Sequence, residues 1–155
     1  MSGAARTSPA ADGPSGRTSP RLSIEQECLR RGCPAVVAGC VELLRGGEVD
    51  PELVLALGGP PARWVVTGGQ GGPDYWLRVW AVRGLLWCWD DVALPALLDA
   101  LHDDAWRVRE GALRVVARHR LVDARDLVAE LQEDDVPRVG AAAGRALVRL
   151  AGRPD

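Results

Sequence analysis

The chemistry-bearing residues of this chain are few and scattered. There are four cysteines (Cys28, Cys33, Cys40, Cys88) and two histidines (His102, His119). Acidic clusters stand at Asp90-Asp91, Asp103-Asp104 and Glu133-Asp134-Asp135, and a Gly-rich stretch runs from Gly68 to Gly72. A protein metal site usually draws its ligands as close pairs. The cysteines contain no C-x-x-C and neither histidine lies near them in sequence. The expectation is small buried thiols in a reducing cytoplasm, with no metal and no cofactor. Neither histidine has a nucleophile at a recognisable spacing. The Gly-rich stretch has no strand before it and no Lys to meet a phosphate. No catalytic constellation is present, so the chain is expected not to be an enzyme.

What remains is tryptophan and arginine. All nineteen basic residues are Arg, Phe is absent, and there are six Trp. Lys, Phe and Asn, all missing, have A/T-rich codons, so a high-GC bacterial genome accounts for the totals. Any functional argument must come from position. The net charge of −2 argues against a wholly basic nucleic-acid binder, and 47% hydrophobic residues provide for a core. No apolar run approaches the roughly 18 residues that span a membrane. Residues 1–20 are rich in Ser, Gly, Pro and Ala and lack the apolar core of a secretory signal. They read as a disordered tail.

The elements that position Trp and Arg emerge from a self-comparison. Asp104 to Arg118 (DAWRVREGALRVVAR) aligns with Asp135 to Arg149 (DVPRVGAAAGRALVR) and with Pro73 to Trp87 (PDYWLRVWAVRGLLW) at a shift of 31 residues. Ala81, Ala112 and Ala143 share one column, and Arg83, Arg114 and Arg145 share another. Ala93 to Asp104 aligns with Ala124 to Asp135 at the same shift. Each unit therefore reads as a helix A, an Asp-Asp turn and a helix B, the latter with apolar residues at i, i+4 and i+8. Asp74, Asp104 and Asp135 are expected to cap the B helices. The Ala column lets two helix backbones approach closely.

The run Asp134 to Leu150 (DDVPRVGAAAGRALVRL) resembles the helix-B signature of the HEAT-repeat family, and the short period is similar to phycobilisome-lyase-type repeats. In that family an Arg follows the small aliphatic residue; Arg78 and Arg109 match, and Gly140 departs. The resemblance implies an all-α fold, a right-handed α-solenoid of paired antiparallel helices with the B helices on the concave side. It does not imply lyase activity.

Residues 73–151 are thus assigned to repeats and 21–72 to an N-terminal helical capping region that does not align at the 31-residue shift. Within it, Ser23 with Gln26 reads as a capping box for a helix near 24–31. Residues 34–45 have helical spacing, and Asp50-Pro51 opens a helix at 51–57. Residues 61–67 read as a degenerate helix A.

At about 100° per residue, Trp76, Trp80 and Trp87 cluster on one side of the first helix B with Arg83 beside them, away from the apolar stripe. The same columns carry Arg107, Gly111, Arg114 and Arg118, then Arg138, Ala142, Arg145 and Arg149. Helix-A segments 91–104 and 122–135 carry four and six acids, whereas B segments 105–120 and 136–151 carry one and none. The expected site is a Trp/Arg ridge made of Trp76, Trp80, Arg83, Trp87, Arg107, Arg114, Arg118, Arg138, Arg145 and Arg149. It suits a protein partner with an acidic segment. A nucleic-acid backbone is the alternative, with bases stacking on Trp, and a lyase-like accessory role stands third. Trp106, at the start of its helix, is expected to pack on the turn.

Overall fold

The computed structural model describes residues 18–68 and 73–152. Residues 1–17 of the expected 1–20 tail, the stretch 69–72 and residues 153–155 lie outside the described residues. Nine α-helices and no strand occur among the described residues. In chain order they are α1 (Pro20–Arg31), α2 (Cys33–Leu44), α3 (Pro51–Gly58), α4 (Arg63–Thr67), α5 (Tyr75–Trp87), α6 (Leu94–Ala100), α7 (Trp106–His119), α8 (Arg125–Leu131) and α9 (Pro137–Ala151). Short 3₁₀ turns at Pro60–Ala62, Asp91–Ala93 and Val122–Ala124 lead into α4, α6 and α8.

Helices α5, α7 and α9 stack side by side; α6 packs on α7, and α8 on α9. The apolar column of the B helices faces inward as its spacing demands. Ala81, Ala112 and Ala143 have no exposed surface, and neither do Leu85, Val108, Val116 and Val139. Next to this column, Gly111 lets α7 approach α5 so closely that an added Cβ would lie 2.5 Å from Val82 Cγ2.

Two ion pairs lock the stack. Arg78 forks onto Asp103, its Nε and Nη2 donating over 2.6 and 3.2 Å. Arg109 repeats the arrangement on Asp134 at 2.9 and 3.1 Å. Planar guanidinium and carboxylate match in this two-bond geometry. Each Asp also accepts from the backbone at the start of the following helix: Asp103 from Ala105 N at 2.8 Å, and Asp134 from Val136 N at 2.8 Å. Neither helix has a side-chain cap: the N-cap positions are Ala105 and Val136. The expected caps Asp104 and Asp135 therefore do not form, and Asp103 and Asp134 brace the turn just before each helix. Asp74 makes no side-chain cap bond. Burial raises the Asp134 pKa, but the bonds from Arg109 and Val136 outweigh it and hold the carboxyl below its usual value.

The N-terminal region departs from expectation at three points. Helix α1 starts before residue 24, at Pro20, capped by Ser19 at the end of the segment expected to be a tail. Ser23 instead donates from its hydroxyl to Ala56 O at 2.8 Å, tying α1 to α3. The third point concerns helix α4, which has five residues and buries none, too little to cover α5. It is α2 that packs along α5 and reaches α6, using Val36, Val37, Cys40 and Leu43. Burial pushes the Cys40 thiol up to about 12, as expected for an inert core sulfur.

Candidate partner-binding groove

Helices α5, α7 and the start of α9 line a cleft of about 500 Å³, with the first turn of α1 at its edge. Its walls are built from tryptophan faces and arginines. The Arg21 and Arg118 guanidinium carbons lie 4.8 and 4.5 Å from the Trp87 ring centroid. Those of Arg107 and Arg138 lie 4.5 and 5.4 Å from Trp106. Arg107 also stands 5.4 Å from Trp76. Such stacks contribute about 0.5–1 kcal/mol each at exposed sites. They occupy the flat face of a guanidinium and leave its N–H edge available to an oxygen.

One acid lies among these cations. Glu110 has a side chain only 10% exposed. Its Oε2 accepts from Arg138 Nε at 3.1 Å and stands 3.5 Å from Arg114 Nη2. Arg107, Arg114, Arg118 and Arg138 are themselves exposed. Glu110 therefore fixes part of the positive wall without covering it.

A second cleft of about 620 Å³ adjoins the first, and Pro20 and Arg83 border both. It is apolar in character, lined by Pro60, Pro61, Trp64, Trp76 and Trp80.

Helical angles alone misplaced two of the expected site residues. Trp80 is 3% exposed and packs under the end of α3. A Cβ added at Gly58 would lie 2.7 Å from its Cδ2 atom. Arg83 is turned inward, its Nη1 donating to Leu57 O at 3.1 Å, where it satisfies a carbonyl in the last turn of α3. Burial lowers its pKa from the ordinary Arg value. Both residues lie at the α3–α5 contact because α3 closes over that side of α5, which positions around a single helix cannot reveal. The Trp80 column is not a ridge either: Ala142 is 4% exposed and Gly111 is half-buried against Val82. Arg145 and Arg149 are exposed on α9, with no ion pair among the described residues, and neither lines these two clefts.

Three residues outside the expected site line the groove, Arg21, Trp106 and Glu110, and Trp64 lines the adjoining cleft. Trp106 does not pack on the turn alone, because Arg107 and Arg138 stack on it. Glu110 did carry a signal. It is the only acid in the three stacked B helices, four residues before Arg114, a spacing that pairs charges on a helix. Of the remaining titratable groups, His119 stands 3.0 Å from Leu85 O and stacks on Trp89, while Asp90 accepts from Val92 N at 2.9 Å. Both are accounted for by packing and capping.

The stacked, paired helices define an α-solenoid class of fold. A family model for HEAT repeats matches residues 69–148, and the chain belongs to the HEAT-repeat family. Neither the curated proteins nor the solved structures gave a match. HEAT repeats commonly act as protein-interaction scaffolds, and the family is generally non-enzymatic. No helix among the described residues is long and apolar enough to cross a membrane.

Proposed function

We propose that this chain is a non-catalytic scaffold that binds a protein partner through the α5–α7–α9 groove. The repeat unit is 31 residues, the superhelix is right-handed, and this groove is its concave side. Residues 21–72 act as the N-terminal cap, a reading supported by the way α3 covers Trp80. The partner presents an acidic segment carrying an apolar anchor. Its carboxylates meet the edges of Arg107, Arg114 and Arg138, and the anchor enters the Trp-lined cleft. A cytoplasmic setting is proposed with it, because clustered thiols persist there as thiols.

The observation that carries this reading is the stacking of four arginines on Trp87 and Trp106 beside the cleft. Aromatic and Arg side chains held in place this way lose little freedom on binding and are the usual anchors of interfaces. Glu110 favours an acidic peptide over a polyphosphate backbone, since it breaks the run of positive charge in the middle of the groove.

The test is fluorescence anisotropy with a panel of labelled acidic peptides containing Leu or Trp, and with a labelled single-stranded oligonucleotide, at low and moderate salt. The expected result is peptide binding that Arg107→Gln with Arg114→Gln weakens at least about tenfold while helicity is kept. Peptide binding unaffected by the double variant, or absent, overturns the proposal. Tighter binding of the oligonucleotide, with a steep loss of affinity on adding salt, supports the nucleic-acid alternative instead.

A further inference from the structure

Three sulfurs from three separate elements converge at one corner of the fold, away from the groove. Cys28 lies in the last turn of α1, Cys33 opens α2, and Cys88 directly follows α5. Their Sγ atoms all lie within 4.8 Å of one another. The chain reaches this arrangement by a turn at Gly32, where φ is +94° and the N–H donates to Cys28 O at 2.8 Å. Only glycine adopts that backbone without strain. Cys88 is brought in by the packing of α2 on α5, and its Sγ stands 3.7 Å from Cys33 O.

Besides the Cys88 Sγ contact to Cys33 O, an ion-pair network beside the sulfurs holds their elements in place. Glu27, next to Cys28, pairs with Arg30 and Arg31, and Arg31 reaches Asp50 at 2.7 Å. This holds the end of α1 against the start of α3. Burial is graded across the cluster: Cys88 is buried, Cys28 half-buried and Cys33 exposed. Two donors are therefore fixed in the wall while the third faces an open route for a ligand.

Thiolates bound to one metal at about 2.3 Å stand about 4 Å apart around it, which the observed spread accommodates. Among the described residues the donor set is all sulfur and numbers three. Zn²⁺ takes four ligands in its structural sites, whereas soft thiolates select Cu⁺. We infer that Cys28, Cys33 and Cys88 form a three-sulfur site for a soft d¹⁰ cation, Cu⁺ in preference to Zn²⁺. Loading it ties α1, α2 and α5 together where the N-terminal helices meet the repeats. Binding to the folded chain therefore raises its stability.

The test uses the full chain, reduced and desalted without oxygen, and titrated with Cu⁺ against a competing chelator, then with Zn²⁺. One Cu⁺ is expected to bind per chain, raising the melting temperature, and X-ray absorption should report three sulfur neighbours. Cys33→Ser, at an exposed position, should weaken binding at least about tenfold while leaving the unloaded chain folded. Cys40→Ala should leave affinity within about twofold. Failure to hold Cu⁺ against the chelator, equal affinity in Cys33→Ser, or a shell dominated by nitrogen and oxygen overturns the site. Zn²⁺ bound more tightly than Cu⁺ overturns the choice of ion.

Discussion

Arg107 and Arg109 stand two residues apart on α7, about 200° round the helix, and do different work. Arg109 is 16% exposed and forks onto Asp134, itself 9% exposed. It also donates to the Asp103 and Asp104 carbonyls at 2.7 and 3.1 Å. Arg107 is exposed and, among the described residues, makes only ring stacks, on Trp76 and Trp106. The first arginine joins one repeat to the next, and the second furnishes a groove. Residue type and abundance are the same, so neither distinguishes the roles. The column does: Arg78 shares the joining column with Arg109, and Arg138 shares the groove column with Arg107.

The largest effect should come from breaking the joining column. Arg109→Ala leaves the half-buried Asp134 without its partner and frees two carbonyls, and losing such charged hydrogen bonds costs about 2–3 kcal/mol. Urea unfolding followed by circular dichroism measures it. A loss below about 1 kcal/mol would show that the ion pair is dispensable to the stack. Asp134→Asn should cost less, because the backbone bond from Val136 survives.

Acid should attack the same column. The Asp134 carboxyl titrates lower in the folded chain than an unfolded Asp, near 3.9. Glu27 is also lowered, the bonds from Arg30 and Arg31 outweighing a burial that alone would raise it. Asp50 is lowered by its bond from Arg31. A depressed carboxylate contributes stability that is complete above the unfolded value and is lost as pH falls through the folded one. Stability should therefore hold down to about pH 5 and decline below about pH 4. Thermal melts across that range check it, and Asp134→Asn should show a shallower decline than the parent chain.

Between these columns lies the buried one. Ala112→Leu has no space to enter, since Ala112 is fully buried between stacked helices, and overpacking of this kind costs about 1–3 kcal/mol. Retained stability in that variant would mean that the helices can separate along the stack.

The stacked helices were legible because each pattern repeats. Ala81, Ala112 and Ala143 mark one buried column in three helices, so the inward face could be read and the outward columns placed by angle. Trp76, Trp87, Arg107 and Arg138 came from the same arithmetic. Trp80 and Arg83 did not, because what covers them is α3, a helix outside the aligned repeats whose position depends on α1 and α2. The cysteine cluster was hidden for a related reason. Cys28 and Cys33 are separated by a reversal at Gly32, and Cys88 arrives from a distant element, so spacing along the chain gave no sign of their proximity. Sequence periodicity reports contacts between like units and says little about contacts between unlike ones.

The smallest stability effect is expected at the groove, and it separates the two kinds of arginine most sharply. Arg107→Gln and Arg118→Gln each remove stacking on half-buried Trp rings and leave every carboxylate pair intact. The expected cost is about 0.5 kcal/mol each, at the edge of what urea midpoints resolve. Tryptophan emission should respond more clearly, because Trp76, Trp87 and Trp106 lose the cations on their faces. A large spectral change with a small stability change is the signature of side chains held ready on a surface. A loss approaching that of Arg109→Ala would instead make these arginines part of the framework, and the distinction between the two columns of α7 would fail.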